Sequence, residues 1–525
     1  MIMNNKTNVR KLPVGLQSFE KIRRNGCVYV DKTDMVWQIA NERQNNFLSR
    51  PRRFGKSLLT STLKCYFEGK QELFEGLKIM SLEKEWKPRQ VFHFDFSGCN
   101  TADELNSYLN SALGRYEEEY PRDENDNTLK DRFFSLMIKG TKKFGLPVAV
   151  LVDEYDSPLQ HTLYDADEHE KVRNVYASFF PALKTGEEYI QCTFLTGITK
   201  FTQLSIFSTL NNVSILGSWP QYATVCGITE DEIRSNFQPE LEEMAKINGW
   251  NIEETLAKLK EMYDGYHFSK DLSREVYNPY SLINALAEKD IANFWVSSGG
   301  STMLNDMLIR TEVNGDNIDN CIIDKDTLER TDVSLDNVPL FLYQAGYLTI
   351  KDYSGDDYTL GFPNKEVRTA FYKTVLPNAV AKREWEFDSN VISIRRALKQ
   401  GNVEEAMQNL KQLVSETPYA QKGERNIEER FRFIVKNTLF LCGCRVEEEK
   451  QIATGRVDLV AYFRNMVLVI ELKLDENGGI EAAKKQLADR DYAAAFKSDD
   501  KQVYEIAVSF NVAKRGISDY YVAKV

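Results

Sequence analysis

Three features are missing from this sequence, and each absence excludes a class of protein. No apolar run approaches the roughly 18 residues of a membrane span, so we expect no membrane insertion. Of the eight cysteines, only Cys442 and Cys444 lie close together, and no CxxC pair exists. The four histidines have no metal-ligand spacing. The sequence therefore predicts neither a disulfide framework nor a zinc site, and buried thiols in a cytoplasmic protein are the simpler interpretation.

The composition is typical of a soluble globular protein with several domains. The 525 residues are 42% hydrophobic and 28% charged. Residues 1–10 are polar and lack the apolar segment of a secretory signal, so we expect none. The net charge of −11 argues against non-specific coating of nucleic acid by the whole molecule. Residues 421–525 are close to neutral, however, which leaves room for a local basic groove there.

The chain is organised around residues 50–57, Arg-Pro-Arg-Arg-Phe-Gly-Lys-Ser. An apolar run precedes this segment and helical spacing of apolar residues follows it, which is the strand–loop–helix context of a phosphate-binding loop. Lys56 would reach the β- and γ-phosphates of ATP, and the Ser57 hydroxyl would hold Mg²⁺. The pattern G-x-x-x-x-G-K-[ST] requires glycine where Arg50 stands, so the motif is incomplete. Arg50, Arg52 and Arg53 are interpreted as extra positive charge near the phosphates.

Backbone N–H groups at the start of a helix favour phosphate, so they complete the predicted ATP site. The residues that would contribute to this cradle are Arg53, Phe54, Gly55, Lys56, Ser57 and Leu58.

A second motif follows a buried strand. Residues 147–152 are apolar, as in a strand of a parallel sheet covered on both faces, and Asp153 and Glu154 come at its carboxyl end. Asp153 would belong to the Mg²⁺ shell, and Glu154 would orient or activate the attacking water. After the next strand, Thr196 is the first choice for a γ-phosphate sensor and Lys200 the second. A helix cap after Gly197 is the alternative.

Earlier in the chain, Asp31 and Thr33 are interpreted as caps at a strand-to-helix junction, with nucleotide contact as the lesser alternative. A long helical stretch is predicted from Thr101 to about Lys142.

Together these motifs resemble the AAA-ATPase-like family over roughly residues 10–290. In that family arginine commonly replaces the first loop glycine, so Arg50 fits the resemblance. The resemblance implies a P-loop parallel sheet over residues 1–225 and a helical lid over residues 226–310. A capping box at Thr229–Glu232 and a cap at Asn278-Pro279 start helices in this lid.

The middle of the chain shows a helix and then a hairpin around residues 354–357, which indicates a winged-helix-like module over residues 311–375. Such modules can bind DNA, but this one has few basic residues, so a packing role is favoured. The pattern of residues 376–420 predicts amphipathic helices that form a linker between the two halves.

The second constellation of polar residues lies near the carboxyl terminus. If Arg464-Asn465 form a two-residue hairpin turn, Asp458 lies directly opposite Glu471 with Cβ atoms about 5 Å apart. Lys473 shares that face of the sheet. Two opposed carboxylates repel each other and so destabilise a sheet, unless they serve a function. Binding a Mg²⁺ ion is the function that suits them best.

Asp458 with the segment Glu471-Leu472-Lys473 resembles the PD-(D/E)xK nuclease superfamily over residues 421–525. The usual proline before the aspartate is Val457 here. The resemblance implies a restriction-endonuclease-like α/β domain in which Lys473 orients or deprotonates a water. It also implies an additional acidic residue, Glu429 with Glu428 as its rival, and a pair made by Gln486 and Tyr492.

These inferences define the expected function. We expect an ATP- and Mg²⁺-binding protein that controls a metal-dependent nuclease acting on DNA or RNA. The main alternative is an NTPase switch whose C-terminal domain binds nucleic acid or a partner without cleaving, and a scaffold with an inactive P-loop is the third. Because AAA-like cores often assemble, a homo-oligomer is an open expectation. We expect no membrane partner.

Overall fold

The computed structural model describes residues 11–199, 213–295, 318–329, 337–415, 417, 427–497 and 500–525. The chain divides into two compact units. The first contains Met1–Ser298 and Asp319–Val367, and the second includes Arg368–Val525. In these described ranges, no helix is both long and apolar enough to cross a membrane. Lys200, the second choice for a γ-phosphate sensor, lies outside the described residues.

A five-stranded sheet with the order β2-β3-β4-β1-β5 forms the centre of the first unit. All of its recorded pairings are parallel. The strands are β1 (Asn45–Ser49), β2 (Val91–Asp95), β3 (Val148–Asp153), β4 (Ile190–Gly197) and β5 (Ser214–Ile215). Every residue of β3 is buried, as expected for a strand covered on both faces. The strand β4 lies between the strand of the phosphate loop and the strand that ends at Asp153.

Helices cover this sheet. Their bounds are Phe19–Arg24, Thr33–Glu42, Lys56–Phe67, Ile79–Leu82, Ala102–Glu117, Leu129–Phe144, Ser157–His161, Ala166–Phe179 and Pro181–Thr185. The stretch predicted to be helical from Thr101 to Lys142 is two helices, because the Thr128 side chain accepts a hydrogen bond from Asp131 N and starts the second. Aromatic side chains dominate the core, where Phe133 stacks on Phe179 at 4.9 Å between ring centroids.

The predicted lid is a group of helices, Glu230–Asn236, Gln238–Asn248, Ile252–Tyr263 and Pro279–Glu288. The capping box at Thr229 and Glu232 is confirmed. The Asn278 cap ahead of Pro279 is also confirmed, since the Asn278 side chain accepts hydrogen bonds from Tyr280 N and Ser281 N.

A three-stranded sheet with the order β6-β8-β7 follows. Its strands are β6 (Cys321–Asp324), β7 (Thr349–Tyr353) and β8 (Asp357–Gly361), and the hairpin predicted between β7 and β8 is confirmed. The helices Lys325–Glu329 and Val338–Ala345 lie between β6 and β7 in the chain, and Lys365–Ala379 follows β8.

The second unit contains a mixed sheet with the order β13-β12-β11-β10-β9. Its strands are β9 (Arg445–Ile452), β10 (Gly455–Phe463), β11 (Met466–Leu474), β12 (Gln502–Asn511) and β13 (Gly516–Lys524). Only β11 and β12 pair in parallel. The helices of this unit are Glu384–Lys399, Val403–Leu413, Ile427–Leu441 and Gly479–Arg490. The predicted α/β fold class, with a parallel sheet in one half and a nuclease-like mixed sheet in the other, is confirmed.

Candidate functional sites

The phosphate loop joins β1 to the helix Lys56–Phe67. Gly55 precedes this helix with φ +88°, a conformation that favours glycine. Arg53 also has a positive φ, +70°. The first N–H groups of a helix have no partner within the helix, and the dipole there favours an anion. The loop therefore presents the N–H groups that the sequence predicted for phosphate.

Lys56 is buried, and its Nζ donates to Arg50 O at 3.0 Å and Pro51 O at 3.1 Å. Burial lowers the pKa of Lys56, while the charges of Asp153 and Glu154 act to raise it. In this arrangement the ammonium group is held against its own loop, within reach of the carboxylates at the end of β3. An ATP phosphate would replace these carbonyl partners with charged oxygens.

The prediction that Arg50 adds positive charge near the phosphates is wrong. Arg50 is 2% exposed, and its guanidinium donates to the carbonyls of Ser49 (3.0 Å), Gly217 (2.9 Å) and Tyr222 (3.0 Å). It also lies over the Phe268 ring at 4.1 Å. Because no carboxylate neutralises it in these contacts, burial lowers the pKa of Arg50 to about 10. Arg50 fixes the loop to the body of the unit instead.

Phe54 contributes to the loop by packing. Its ring lies edge-on to Tyr266 at 4.7 Å and to Phe268 at 5.2 Å. Only its backbone is available for a phosphate. Arg53 lies over the Tyr280 ring at 4.8 Å.

A cavity of about 480 Å³ lies above the loop. Its lining includes the polar residues Arg53, Lys56, Ser57 and Glu154 and the apolar residues Val14, Leu16, Leu58, Pro279 and Ile283. A lining that combines polar and apolar groups suits a nucleotide.

The end of β3 lies where the sequence predicted it. The Thr196 hydroxyl donates to Asp153 Oδ1 across the β3–β4 pair. Glu154 has φ +50° and its N–H donates to Asp153 Oδ1 at 3.1 Å. Burial raises the pKa of the Glu154 carboxyl, against the opposing effect of Lys56. The structure therefore brings Lys56, Asp153, Glu154 and Thr196 to one edge of the sheet.

Asp31 and Thr33 make structural hydrogen bonds at this junction, although the N-cap of the helix Thr33–Glu42 is Lys32, which has no side-chain cap hydrogen bond. Asp31 Oδ1 accepts from Thr33 N at 2.9 Å, and Asp31 Oδ2 accepts from Lys78 N at 2.7 Å. Thr33 Oγ1 accepts from Ile79 N at 3.1 Å.

In the second unit, the register of the β10–β11 hairpin is confirmed. Leu459 pairs with Ile470 and Phe463 with Met466, so the next pair outward is Asp458 and Glu471. Asp458 Oδ2 accepts from Leu472 N at 2.9 Å. Lys473 Nζ donates to Glu471 Oε1 at 3.0 Å. The three predicted residues therefore lie together.

Glu471 is completely buried, and its Oε2 has no hydrogen-bond partner among the residues that the structure describes. Burial, with the repulsion of Asp458 next in size, raises the pKa of Glu471 to about 7. Burial acts to lower the pKa of Lys473, but its hydrogen bond to Glu471 and the charges of Asp458 and Glu428 outweigh this and raise it. An unpartnered carboxylate oxygen beside a second carboxylate fits a hard divalent cation such as Mg²⁺.

Of the two helix carboxylates, the structure favours Glu428. Glu428 is partly buried and its charge acts on Lys473, whereas Glu429, the first choice from sequence, is exposed. Which residue of a helix faces the site depends on packing, which the sequence motif does not contain. Across the described residues, no group of three or more His, Cys, Asp or Glu forms a metal cluster.

Comparisons with known proteins match two separate parts of the chain. Residues 13–207 match the family model of the AAA-ATPase-like proteins, described as predicted AAA-ATPase, and residues 422–520 match a model of the PD-(D/E)XK nuclease superfamily. The chain carries an AAA-ATPase-like domain and a PD-(D/E)XK nuclease superfamily domain.

One relative matches over nearly its whole length. It is named "Uncharacterized protein in vnfD 5'region", from Azotobacter chroococcum mcd 1, and is 26% identical, over 98% of this chain and 99% of its own. Among solved structures, the Aeropyrum pernix ORC2 protein (ADPNP-ADP complexes) is 11% identical with a TM-score of 0.23, over 68% of this chain and 93% of its own.

In the nuclease-like domain, Gln486 and Tyr492 meet as predicted. Gln486 Nε2 donates to Tyr492 Oη at 3.2 Å, and Tyr492 Oη donates to Arg456 O at 2.9 Å. Arg456 is two residues from Asp458 on β10. The pair therefore supports the strand that carries the carboxylate.

Sequence reasoning missed Asp156 in the ATPase-like domain. Its buried carboxylate accepts at Oδ2 from Ile198 N (2.9 Å), Thr199 N (2.7 Å) and Thr199 Oγ1 (2.6 Å). It thus joins the segment after β3 to the end of β4. The spacing of Asp153 and Asp156 was visible in the sequence, but only the strand order shows that β4 is the neighbour of β3.

Proposed function

We propose that this protein is a divalent-metal-dependent nuclease whose activity is controlled by ATP binding and hydrolysis. The observation that carries the nuclease part is the buried Glu471 with its unpartnered Oε2, opposed to Asp458 and hydrogen bonded to Lys473. A fold gains nothing from opposed buried carboxylates alone, since each loses hydration and repels the other.

The residues of the nuclease-like domain have separate roles in this proposal. Asp458 and Glu471 would hold Mg²⁺, which when bound supplies Lewis-acid stabilisation of charge on the scissile phosphate. Lys473 lies beside these carboxylates, where its ammonium group can orient the attacking water. Glu428 adds a negative charge that acts to raise the pKa of Lys473, and the pair Gln486–Tyr492 supports β10. The substrate is DNA or RNA.

The ATPase-like domain supplies the control. Lys56 and the loop N–H groups would bind the β- and γ-phosphates, and Ser57 and Asp153 would hold Mg²⁺. Glu154, with its raised pKa, is placed to orient a water. Thr196 donates to Asp153 and would respond to loss of the γ-phosphate. Lys56 and Ser57 lie on the same loop as Arg50. A movement of this loop when a phosphate binds or leaves would therefore be transmitted to the segments to which Arg50 is hydrogen bonded.

The test is a cleavage assay on single- and double-stranded DNA and RNA, with and without Mg²⁺ and ATP. The variants Asp458→Ala and Lys473→Ala should lose cleavage by at least about a hundredfold, because each removes a group at the reacting phosphate. Glu481→Ala, an exposed carboxylate in the same domain, is the matched control and should cleave normally. Equal cleavage by wild type and Asp458→Ala would refute the nuclease.

The control by ATP is tested separately. Cleavage by Lys56→Ala should no longer respond to ATP. If wild-type cleavage is independent of ATP, the nuclease stands without this control. If divalent metal binds the wild type but no nucleic acid is cut, the non-cleaving switch becomes the better description.

A further inference from the structure

A second cavity, of about 810 Å³, borders the beginning of the phosphate loop. We call it the loop cleft. Ser49, Arg50 and Pro51 line one part of it. The other described lining residues come from residues 213–220, the turn at residues 268–270, the helices Lys325–Glu329 and Val338–Ala345 and the strands β7 and β8, together with Arg43 and Ile198. All of these residues belong to the first unit. It shares only Ile198 with the described lining of the nucleotide cavity.

The charge of the loop cleft is opposite to that of the molecule. Its described lining contains Arg43, Arg50, Lys270 and Lys325 and no aspartate or glutamate, in a chain of net charge −11. Neither Lys270 nor Lys325 forms an ion pair with a described residue. Four cations that form no ion pair with any residue the structure describes give the cleft a positive potential, which attracts an anion.

Aromatic side chains lie between these cations. The cleft is lined by Trp219, Phe268, Tyr343, Tyr353 and Tyr358. Arg43 lies over the Trp219 ring at 5.5 Å, and Arg50 over the Phe268 ring at 4.1 Å. A groove that combines cations with aromatic faces is the arrangement by which proteins bind single-stranded nucleic acid, because phosphates pair with cations and bases stack on rings.

Arg50 gives an independent indication of a ligand. Arg50 is 2% exposed and lines the cleft, and within the described part of the chain its Nε donor has no partner. A buried unsatisfied donor on a cation is costly, and an anionic ligand oxygen would satisfy it.

We propose that the loop cleft binds single-stranded nucleic acid, with phosphates at Lys270 and Lys325 and bases against the ring of Trp219. The proposal deepens the proposed function by giving the ATPase-like domain its own nucleic-acid surface next to the phosphate loop. It rests on that function for the class of polymer.

The experiment measures binding rather than cleavage. Full-length Asp458→Ala protein, which cannot cut the probe, is titrated into a fluorescent single-stranded DNA of about 15 nucleotides. Adding Lys270→Glu and Lys325→Glu should weaken binding about tenfold or more and reduce its salt dependence. The matched control adds Lys184→Glu and Lys246→Glu, exposed lysines outside the cleft with the same change of net charge, and should bind within about twofold of the parent. Bromouracil in the probe should crosslink to Trp219 or Tyr343.

Each other outcome overturns the proposal. If both pairs of substitutions weaken DNA binding equally, the binding depends on the net charge of the protein and not on the loop cleft. Crosslinks confined to residues 427–525 would place the nucleic acid on the nuclease-like domain alone. Binding of poly-glutamate with no binding of the DNA would make the cleft a site for acidic peptides. Because wild-type cleavage is measured independently, failure of the cleft and failure of the nuclease are distinguishable.

Discussion

Two buried charges, Lys56 and Glu471, have too few partners inside the protein. Among the described residues, Lys56 donates to neutral carbonyls, and Glu471 accepts from Lys473 at Oε1 but has no donor at Oε2. A buried polar atom without a partner is costly, so such atoms are usually satisfied. We therefore expect ligands to bind at these two residues.

Replacing Lys56 with alanine should abolish nucleotide binding. ATP bound at about a hundred times its Kd stabilises a protein by about 2.7 kcal/mol, which appears as a rise in melting temperature. The rise should be present in wild type and absent in Lys56→Ala. Lys64→Ala, on the same helix and more exposed, should keep it. A wild type that ATP does not stabilise would indicate an inactive P-loop.

Metal binding at Glu471 should depend on pH. The pKa of Glu471 is raised from an ordinary 4.5 to about 7. Between these two pH values, Glu471 is therefore protonated in the folded protein and ionised in the unfolded chain. A divalent cation must displace this proton, so the affinity for Mn²⁺ should rise between about pH 6 and pH 8 when measured by calorimetry. Glu471→Gln should lose this binding, whereas Glu481→Gln should keep it. A pH-independent affinity would contradict the assignment.

The raised pKa of Glu471 also determines whether the free energy of unfolding rises or falls with pH. Because the native state binds more protons between about pH 4.5 and pH 7, the free energy of unfolding contributed by Glu471 falls as the pH rises through this window. Without metal, Glu471→Gln should therefore be more stable than wild type at about pH 8, by about 3 kcal/mol at most, and similar near pH 4. Urea denaturation at the two pH values measures the difference. A destabilised variant at the higher pH would contradict the raised pKa.

At the scale of elements, the phosphate loop is held from two sides. Arg50 ties it to the segment around Gly217 and Tyr222, and Pro51 packs on Gly346, between the helix Val338–Ala345 and β7. Gly346 has φ +88°, and a Cβ built on it would overlap Pro51. The connection before the hairpin is thus a direct neighbour of the nucleotide loop.

Gly346→Ala should disturb that loop. Gly355, in the β7–β8 turn, is the matched control, because it also has a positive φ, +99°, but its Cβ would meet nothing within 4 Å. Both variants should lose about 1 kcal/mol of stability from the backbone conformation. Only Gly346→Ala should lose more and also bind ATP more weakly in a fluorescence titration. Equal ATP affinities in the two variants would show that the contact does not position the loop.

Much of the fold and part of each site could be predicted from the sequence. The strand before Asp153 was recognisable because a continuous apolar run needs two covered faces, and the pairing of Asp458 with Glu471 followed because a short turn fixes the register. The orientation of Arg50 and the choice between Glu428 and Glu429 could not be predicted. Both depend on packing against residues far away in the chain.

At the scale of the whole molecule, the two units are expected to bind different ligands. The ATPase-like domain belongs to the first unit and the nuclease-like domain to the second. Domains with their own cores often unfold separately, so one melting temperature need not describe the chain.

Calorimetric unfolding should show two transitions that respond to different ligands. A non-hydrolysable ATP analogue should raise the midpoint temperature of one transition. Mn²⁺ without nucleotide should raise the midpoint temperature of the other, by binding to a site that Glu471→Gln removes. Lys56→Ala should cancel only the first response. A single transition that both ligands shift together would indicate that the two units unfold cooperatively.

The buried guanidinium of Arg50 has a consequence for the entropy of binding. In most phosphate loops a glycine at this position leaves the backbone free until the ligand arrives. Here three carbonyl acceptors and an aromatic ring hold the side chain of the first residue of the loop. Little conformational freedom remains to be lost there, so the loop is preorganised and its ordering opposes binding only weakly.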